Sequence, residues 1–393
     1  MVINEATQQF ILTHINDDVR TLALKGCTDP EVDVAFALTH ISGRQQIKQK
    51  LPRFYENMQV MLPIRLSLEQ CSSEDTAAYK AQIIKGNHLA DLTGGFGIDC
   101  WALADNFNTV DYVERNEELC KVAEHNFSIL NKTHVHCHCA DGIEFLGQHP
   151  QADVIYLDPA RRDRSGGKVV QISDCEPNIL QHLPLLLQNE RDVWVKLSPM
   201  LDFHATLQKL PIQEVYIVSV KNECKELLLH LHAHAPSSAC IHAVDLQAND
   251  TSTFSFTLEE EHACPLHIAN ELGEYLYEPN ASIMKAGGYK LYADQLKLQK
   301  LDANSHLYTA DHLLDHAHGK CFRVIKCYGL DKKSIKQLRT EYPKCNIATR
   351  NFPISAETLR QKLGIKEGGT QQVFGTTFKS KHILILTERI SHS

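Results

Sequence analysis

LADLTGGFGID, residues Leu89–Asp99, joins a short apolar run to an acid, two adjacent glycines, a third glycine and then helical sequence. Gly94, Gly95 and Gly97 have no Cβ, so they can take positive φ and let a small ligand reach the main chain. A strand, a loop of this kind and a helix in succession predict a ligand-binding turn of an open α/β sheet. The glycines alone do not name the ligand, because phosphate and sulfonium chemistry can both use such a loop.

Outward from the loop, apolar runs and helical patterns alternate as far as about residue 234. HLADL, VDYVE, THVHCHCA, ADVIYLD, DVWVKLS, EVYIVSV and ELLLHLHAHA read as strands, separated in most cases by helical segments such as EELCKVAEHNFSILN and PNILQHLPLLLQ. This alternation predicts an α/β fold, a parallel sheet with helices on both faces. The short connection between EVYIVSV and ELLLHLHAHA predicts an antiparallel hairpin at one sheet edge. Upstream, residues 1–70 read as helical, with Val32, Phe36, Ala37 and Ile41 at helix spacing. Ser72-Ser73-Glu74-Asp75 predicts a helix start with an acid three residues on, and Gly86 is the expected left-handed glycine after that helix. Beyond a linker at Pro236–Ala239, residues 240–320 mix strands (CIHAVDL, TFSFTL) with less regular sequence. CFRVIKCYG, KKSIKQLRTEYP, NIATRNFP, SAETLRQKLG and HILILTERI then follow as a β-α-β-α-β module.

The 393 residues allow two or three domains. No run of 18 apolar residues is present, so no membrane span is expected. The first ten residues lack a basic then apolar secretion pattern. Thirteen scattered cysteines then predict reduced thiols and a cytoplasmic location. The net charge of −8 conceals an asymmetry. Residues 320–393 hold 15 Lys and Arg against 5 Asp and Glu, a surplus of ten, which leaves −18 for residues 1–319. A basic module on an acidic body predicts contact with a polyanion; the bland alternative is a set of charges that keeps a small module soluble.

Four features fall at the carboxyl ends of successive predicted strands, where open α/β sheets bind ligands. They are Asp91 with its glycine loop, Glu114 ending VDYVE, Asp141 in CADGIEF and Asp158-Pro159-Ala160-Arg161 after ADVIYL. A carboxylate at Glu114 suits ribose hydroxyls and one at Asp141 an exocyclic purine amine. Each alone is weak, since an acid after a strand is commonly a helix cap, but the ordered set is hard to obtain by accident. A dinucleotide would require G-x-G-x-x-G, and here Gly95-Phe96-Gly97 is followed by Ile98, Asp99 and Cys100. A pyrophosphate would also lie near Asp91 and Asp99, whereas a cationic sulfonium with a zwitterionic tail suits acidic surroundings.

These residues resemble the class I S-adenosylmethionine-dependent methyltransferases. LEQCSSEDTAAYKA (Leu68–Ala81) is similar to the segment that precedes the glycine loop in RNA-modifying members. YEPNASIMKAGGY (Tyr277–Tyr289) and NIATRNFPISAETLRQKLGIKEGG (Asn346–Gly369) resemble a bacterial methyltransferase family with a C-terminal THUMP-like domain. The resemblance covers nearly the whole chain. It implies a Rossmann-like sheet with an N-terminal helical region and C-terminal α+β domains. The expected division is 1–70 helical, 71–235 cofactor-binding methyltransferase, 236–320 ferredoxin-like α+β and 321–393 basic THUMP-like. S-adenosylmethionine is the implied cofactor, with roles for Asp91, Gly95, Gly97, Glu114 and Asp141, to which we add Gln70 and Thr93. Asp158, Pro159 and Arg161 occupy the place where amino methyltransferases carry Asp/Asn-Pro-Pro-aromatic, and are the expected catalytic residues. Ala160 and Arg161 depart from that pattern, so a stacking ring must come from elsewhere, or Arg161 stacks or pairs with a phosphate.

Lys196 and Ser198 in VKLSPM are expected to line the same cleft as substrate contacts, with sheet-edge capping as the alternative. HVHCHC (His134–Cys139) alternates as a strand should and has no paired C-x-x-C, so no metal site is expected. HLHAHA (His230–Ala235) reads as an edge strand with Leu231, Ala233 and Ala235 inward, and Cys224 reads as structural. Basic GRQQIKQKLPR (Gly43–Arg53) reads as a solvated helix face. The function expected from all this is methylation of RNA, most readily at a base amine. The rivals are a noncatalytic RNA-binding protein on the same scaffold and a methyltransferase of a small molecule or protein. The pattern carries no signal for an oligomeric state.

Overall fold

Residues 88–99 fold as a strand, a loop and the start of a helix. β1 (His88–Asp91) ends at the acid, and α7 (Ile98–Leu103) begins after Gly97, whose φ of 83° needs a glycine. This is a computed structural model that describes residues 4–161, 171–248 and 250–390. The chain divides into two compact units, residues 1–213 with 227–236 and residues 214–226 with 237–393.

In the first unit, six helices precede the sheet: α1 (Glu5–His14), α2 (Val19–Lys25), α3 (Val34–Ile47), α4 (Pro52–Glu56), α5 (Arg65–Gln70) and α6 (Glu74–Ile83). Ile11, Leu22, Ala37 and Ile41 form a small core among α1–α3. A second core packs Ile47, Phe54, Leu68 and Ala77 of this region against Phe96 and Ile98, so the helices before the sheet brace the glycine loop. The basic run at 43–53 is a solvated face only at Lys48 and Arg53, which are exposed. Arg44 is fully buried, and its guanidinium donates to the carbonyls of Phe54, Tyr55, Asn57 and Val60 at 2.8–3.3 Å. Lys50 donates to the carbonyls of Leu68 and Glu69, both at 2.9 Å, and so holds the open end of α5.

β2 (Thr109–Glu114), β3 (Val135–Cys139), β4 (Val154–Leu157) and β7 (Asp192–Leu197) lie parallel to β1, in the order β3-β2-β1-β4-β7. β5 (Ala160–Arg161) and β6 (Cys175–Glu176) form a separate two-residue ladder. The connections carry α7, α8 (Glu117–Ile129), α9 (Gly142–Gln148), α10 (Ile179–Leu186) and α11 (Phe203–Leu207). The chain fills one half of the sheet outward from β1 and then returns to β4 on its other side. The reversal between β1 and β4 is where such sheets bind ligands.

β8 (Ile212–Val220) and β9 (Glu223–Leu231) follow one another across a short turn. β9 pairs antiparallel with β7, and β8 pairs in parallel with β10 (Cys240–Leu246), which pairs with β11 (Thr251–Thr257). The strands read at 240–258 therefore extend this β8 ladder beyond residue 235. His230 is buried rather than outward, stacked on Trp194 at 4.2 Å with Nε2 2.7 Å from Asp192. Polar alternation misled here because a histidine has an apolar ring that packs as well as a polar edge.

In the second unit, α12 (Leu258–Ala263), β12 (Tyr275–Pro279), α13 (Ala281–Ala286), α14 (Tyr289–Gln295), β13 (Gln299–Lys300) and β14 (Tyr308–Ala310) precede the basic segment. That segment holds β15 (Gly319–Tyr328), α15 (Lys332–Glu341), β16 (Asn346–Arg350), α16 (Ala356–Leu363), β17 (Gln371–Phe378) and β18 (Lys381–Ile390). One seven-stranded sheet runs β13-β14-β12-β15-β18-β17-β16, joining 275–316 to 319–390. β17, QQVFGTTF, is a strand that the β-α-β-α-β reading omits: Gly375 weakens the pattern but cannot be enlarged, since a Cβ there would lie 2.7 Å from Leu359. Buried Glu278 at the end of β12 receives Arg350 of β16 (Nε at 2.8 Å), which ties together the two segments that carry the C-terminal resemblance. All thirteen cysteines are free thiols. Burial pushes the Cys224 thiol up to about 11, which keeps it protonated and unreactive. Among the described residues no helix is long and apolar enough to cross a membrane.

Candidate functional site

The three loop glycines answer three different constraints. A Cβ on Gly94 would lie 2.1 Å from the buried ring of Tyr112, so this glycine makes room for β2. Gly97 turns the chain into α7 with Phe127 3.0 Å from its would-be Cβ. Gly95, at φ 55°, has no atom nearer than Thr93 O at 3.8 Å. It is the one that leaves space over the main chain. The Gly95 N–H donates to Glu114 Oε2 at 2.9 Å, and the Tyr112 hydroxyl donates to Gly95 O at 2.6 Å, so β2 holds the loop from both sides. Gly142 of CADG is equally constrained, since a Cβ would lie 2.2 Å from Leu92 O; the β3 turn thus sits close against the β1 turn.

These constraints separate folding from binding. Gly94→Ala should fail to fold, because Tyr112 is fully buried and cannot move aside. Gly95→Ala meets no atom and should fold with a loss of about 1–2 kcal/mol for its left-handed backbone, while its ligand affinity falls. Circular dichroism and calorimetric binding on the two variants would check this; equal behaviour of both would exclude the distinction.

Asp91 and Asp158 flank the reversal between β1 and β4, Glu114 ends the neighbouring β2, and Asp141 follows β3. Asp91 is buried, and its Oδ1 accepts from Thr93 N–H at 3.1 Å. Burial pushes its carboxyl well above the usual range against that bond, and the negative charges of Asp99, Asp158 and Glu114 push it further. Thr93 Oγ1 in turn accepts from the Asp158 N–H at 2.5 Å, which links the β1 loop to the end of β4. Glu114 uses Oε1 to accept from Asn116 N–H (2.8 Å) and Oε2 for Gly95. Asp141 caps α9, its Oδ1 accepting from Ile143 and Glu144 N–H groups at 2.9 and 3.1 Å, and it remains exposed. Gln70 is exposed on the last turn of α5, the helix whose Leu68 packs with Phe96 and Ile98. Pro159 is buried, Arg161 is in β5 by its backbone, and the Arg161 side chain lies outside the described residues.

Lys196 is not a sheet-edge cap. Only 8% exposed, it places Nζ 2.5 Å from Asp158 Oδ2, 3.4 Å from Asp99 Oδ2 and 3.1 Å from Ser72 Oγ. Lys80 of α6 is fully buried, with Nζ 3.1 Å from Asp99 Oδ1 and 3.1 Å from the same Ser72 Oγ. Ser72 and Tyr156 donate to Asp99 Oδ2 at 2.8 and 2.9 Å. Burial works against the Asp99 carboxylate, but the two ammonium groups outweigh it and hold its pKa below the usual range. Ser198 is half-buried and its Oγ accepts from Met200 N–H at 3.2 Å.

Lys80, Ser72, Asp99 and Tyr156 were not among the expected site residues. Ser72 escaped because the N-cap of α6 is Ser73, one residue later than the reading from Ser72 and Asp75, which frees the Ser72 hydroxyl for the buried cluster. A signal for Lys80 existed: it lies three residues after Ala77 and four before Ile84, on the apolar stripe of its helix, where an unpaired lysine would be prohibitive. Gly86, expected as the left-handed glycine after α6, takes no positive φ. It is small because Val154 and Phe107 lie within 2.8 Å of a would-be Cβ.

Two family models match the chain: a ferredoxin-like domain over residues 275–316 and a THUMP domain-like family over 319–389. No curated protein matches. The crystal structure of a candidate methyltransferase from Porphyromonas gingivalis is similar over the whole of both chains, with 33% identity and a TM-score of 0.88. An rRNA methylase from Streptococcus thermophilus (14% identity, 40% of this chain and 93% of that one, TM-score 0.30) is a far weaker likeness. So is a 16S rRNA methyltransferase from T. thermophilus in complex with AdoMet and guanosine (16%, 44% and 43%, 0.32). With the sheet, the reversal point and the full-length relative in agreement, this chain belongs to the class I methyltransferase family that carries a C-terminal THUMP-like domain.

Proposed function

We propose that the protein transfers a methyl group from S-adenosylmethionine to RNA. The observation that carries the cofactor half is buried Asp91 beside open Gly95, in the joint field of three further acids. Such a site disfavours phosphate and favours a cation. The cofactor supplies an electrophilic methyl on a positively charged sulfur. Asp91 would hold its ammonium group and the Gly95 main chain would lie against it. A carboxylate has about four acceptor positions, so Glu114, with two already used, retains two for ribose hydroxyls. Asp141 keeps Oδ2 for an adenine amine. Catalysis would then rest on positioning the acceptor in line with the carbon–sulfur bond.

The RNA half is supported by the basic segment. Lys332, Lys333, Lys336 and Arg339 are exposed on α15, while Leu338 is buried and Ile335 partly buried on its other side. Lys344 and Lys366, also exposed, are bridged to each other through their backbones. A cytoplasmic location agrees with thirteen free thiols.

The test is transfer of labelled methyl from S-adenosylmethionine to total RNA of a strain lacking this gene. RNA affinity should fall with salt, with a log–log slope of about −0.7 per phosphate neutralised on single strands. Lys332→Glu/Lys336→Glu/Arg339→Glu should flatten that slope and weaken binding at least tenfold. Cofactor binding without transfer would favour the noncatalytic scaffold, and transfer to small molecules alone would remove RNA. Deleting residues 320–393 is a poorer test, because it strips β15 from β12.

A further inference from the structure

The acid at the end of β4 is engaged in a way that a base-amine acceptor does not call for. An exocyclic amine already carries a nitrogen nucleophile. It needs a ring to stack on its base as well as an acid, amide or carbonyl to orient it, and no base to remove a proton before attack. Here Asp158 Oδ2 is taken up by Lys196 at 2.5 Å, and Ala160-Arg161 supply no aromatic ring. A hydroxyl acceptor has the opposite need, because its proton is held far above neutral pH and must leave as the new bond forms.

We propose that the acceptor is a hydroxyl, the 2′-hydroxyl of a ribose in RNA, and that Lys196 is the base that removes its proton. This rests on the RNA reading above, since the 2′-hydroxyl is the hydroxyl that an internal RNA nucleotide offers. Ser72 Oγ donates to Asp99 and has Lys80 and Lys196 each 3.1 Å away, so two lysines share both of its acceptor positions. Lys80 is fully buried against Asp99, whereas Lys196 reaches Asp158, whose side chain is 36% exposed. Lys196 is therefore the one that can exchange with solvent and substrate.

The step balances. Lys196 first gives a proton to solvent. The ribose oxygen then bonds to the methyl carbon as the carbon–sulfur bond breaks, and the bonding pair stays on sulfur. The hydroxyl proton passes to Lys196 Nζ, which returns to its ion pair with Asp158. Asp158 is a positioning residue for the amine and stabilises the ammonium that forms.

Lys196→Arg is the discriminating variant, since it keeps the positive charge beside Asp158 but cannot act as a base near neutral pH. It should fold and bind S-adenosylmethionine, while single-turnover transfer to the RNA falls at least about 100-fold and loses its rise with pH. Calorimetry in buffers of different ionisation enthalpy gives a readout apart from activity: the wild type should release more protons than Lys196→Arg on binding S-adenosylmethionine. Nucleoside mass spectrometry of the product should put the added methyl on the sugar. Methyl on a base, equal proton release, or at least half the wild-type rate in Lys196→Arg overturns the inference and leaves the RNA methyltransferase reading standing. No methyl in RNA overturns both.

Discussion

Lys80→Met should destabilise the first unit by about 3–5 kcal/mol, the usual cost of stranding one partner of a buried ion pair. Lys80 is fully buried, and its loss leaves Asp99, 10% exposed, with Lys196 alone as a cationic neighbour among the described contacts. Urea unfolding should show a lower midpoint with an unchanged slope. The cost should be strongly non-additive: Lys80→Met combined with Asp99→Asn should recover much of it, because no charge is then left unpaired. The sign with pH follows from the Asp99 carboxyl, whose folded pKa lies below its unfolded value. The wild type therefore holds this stabilisation above the ordinary carboxyl range and loses it as pH falls through that range towards the depressed value. An additive double variant would mean that the cluster does not act as a unit.

Asp91→Asn should move stability and binding in opposite directions. Asp91 has a folded pKa above its unfolded value, chiefly through burial. Such a group costs stability once pH rises above its unfolded pKa, and the cost grows until pH reaches the folded one. Asparagine keeps an acceptor for Thr93 N–H but carries no charge, so the variant should melt higher than the wild type at neutral pH. The advantage should shrink as pH falls towards the ordinary carboxyl range. Its affinity for S-adenosylmethionine should drop by about 10- to 100-fold, the equivalent of a lost charge-assisted hydrogen bond of about 1.5–3 kcal/mol. Differential scanning calorimetry and isothermal titration on one preparation would measure both. A variant that is less stable, or that binds as well as the wild type, would sink the assignment. Opposed effects of this kind are the expected mark of a site held strained for function.

Much of this architecture was legible along the chain. The α/β class, β1–β4, β7 and the positions of Asp91, Glu114, Asp141 and Asp158 follow from apolar runs that alternate with helical patterns, several of them ending in or followed by an acid. Local chemistry suffices there, because a strand end and a helix cap are settled within a few residues. The glycine roles were less legible. Gly94, Gly95 and Gly97 look equivalent in sequence, yet Tyr112, open space and Phe127 respectively decide what each does. Arg44 and His230 were misread for a related reason, since polarity is no guide to exposure when a tertiary partner satisfies the group.

The sequence by itself determined that an acidic, glycine-rich turn lies at the head of a parallel sheet and that a basic module ends the chain. Tertiary structure alone decided that Ser72 just before α6, Lys80 from α6, Asp99 from α7, Tyr156 from β4 and Lys196 from β7 converge with Asp158. These residues are separated by up to 124 positions in the chain. No local rule relates them. What binds them is the need to compensate every charge taken out of water, and that need is met only once the sheet and α6 have brought them together.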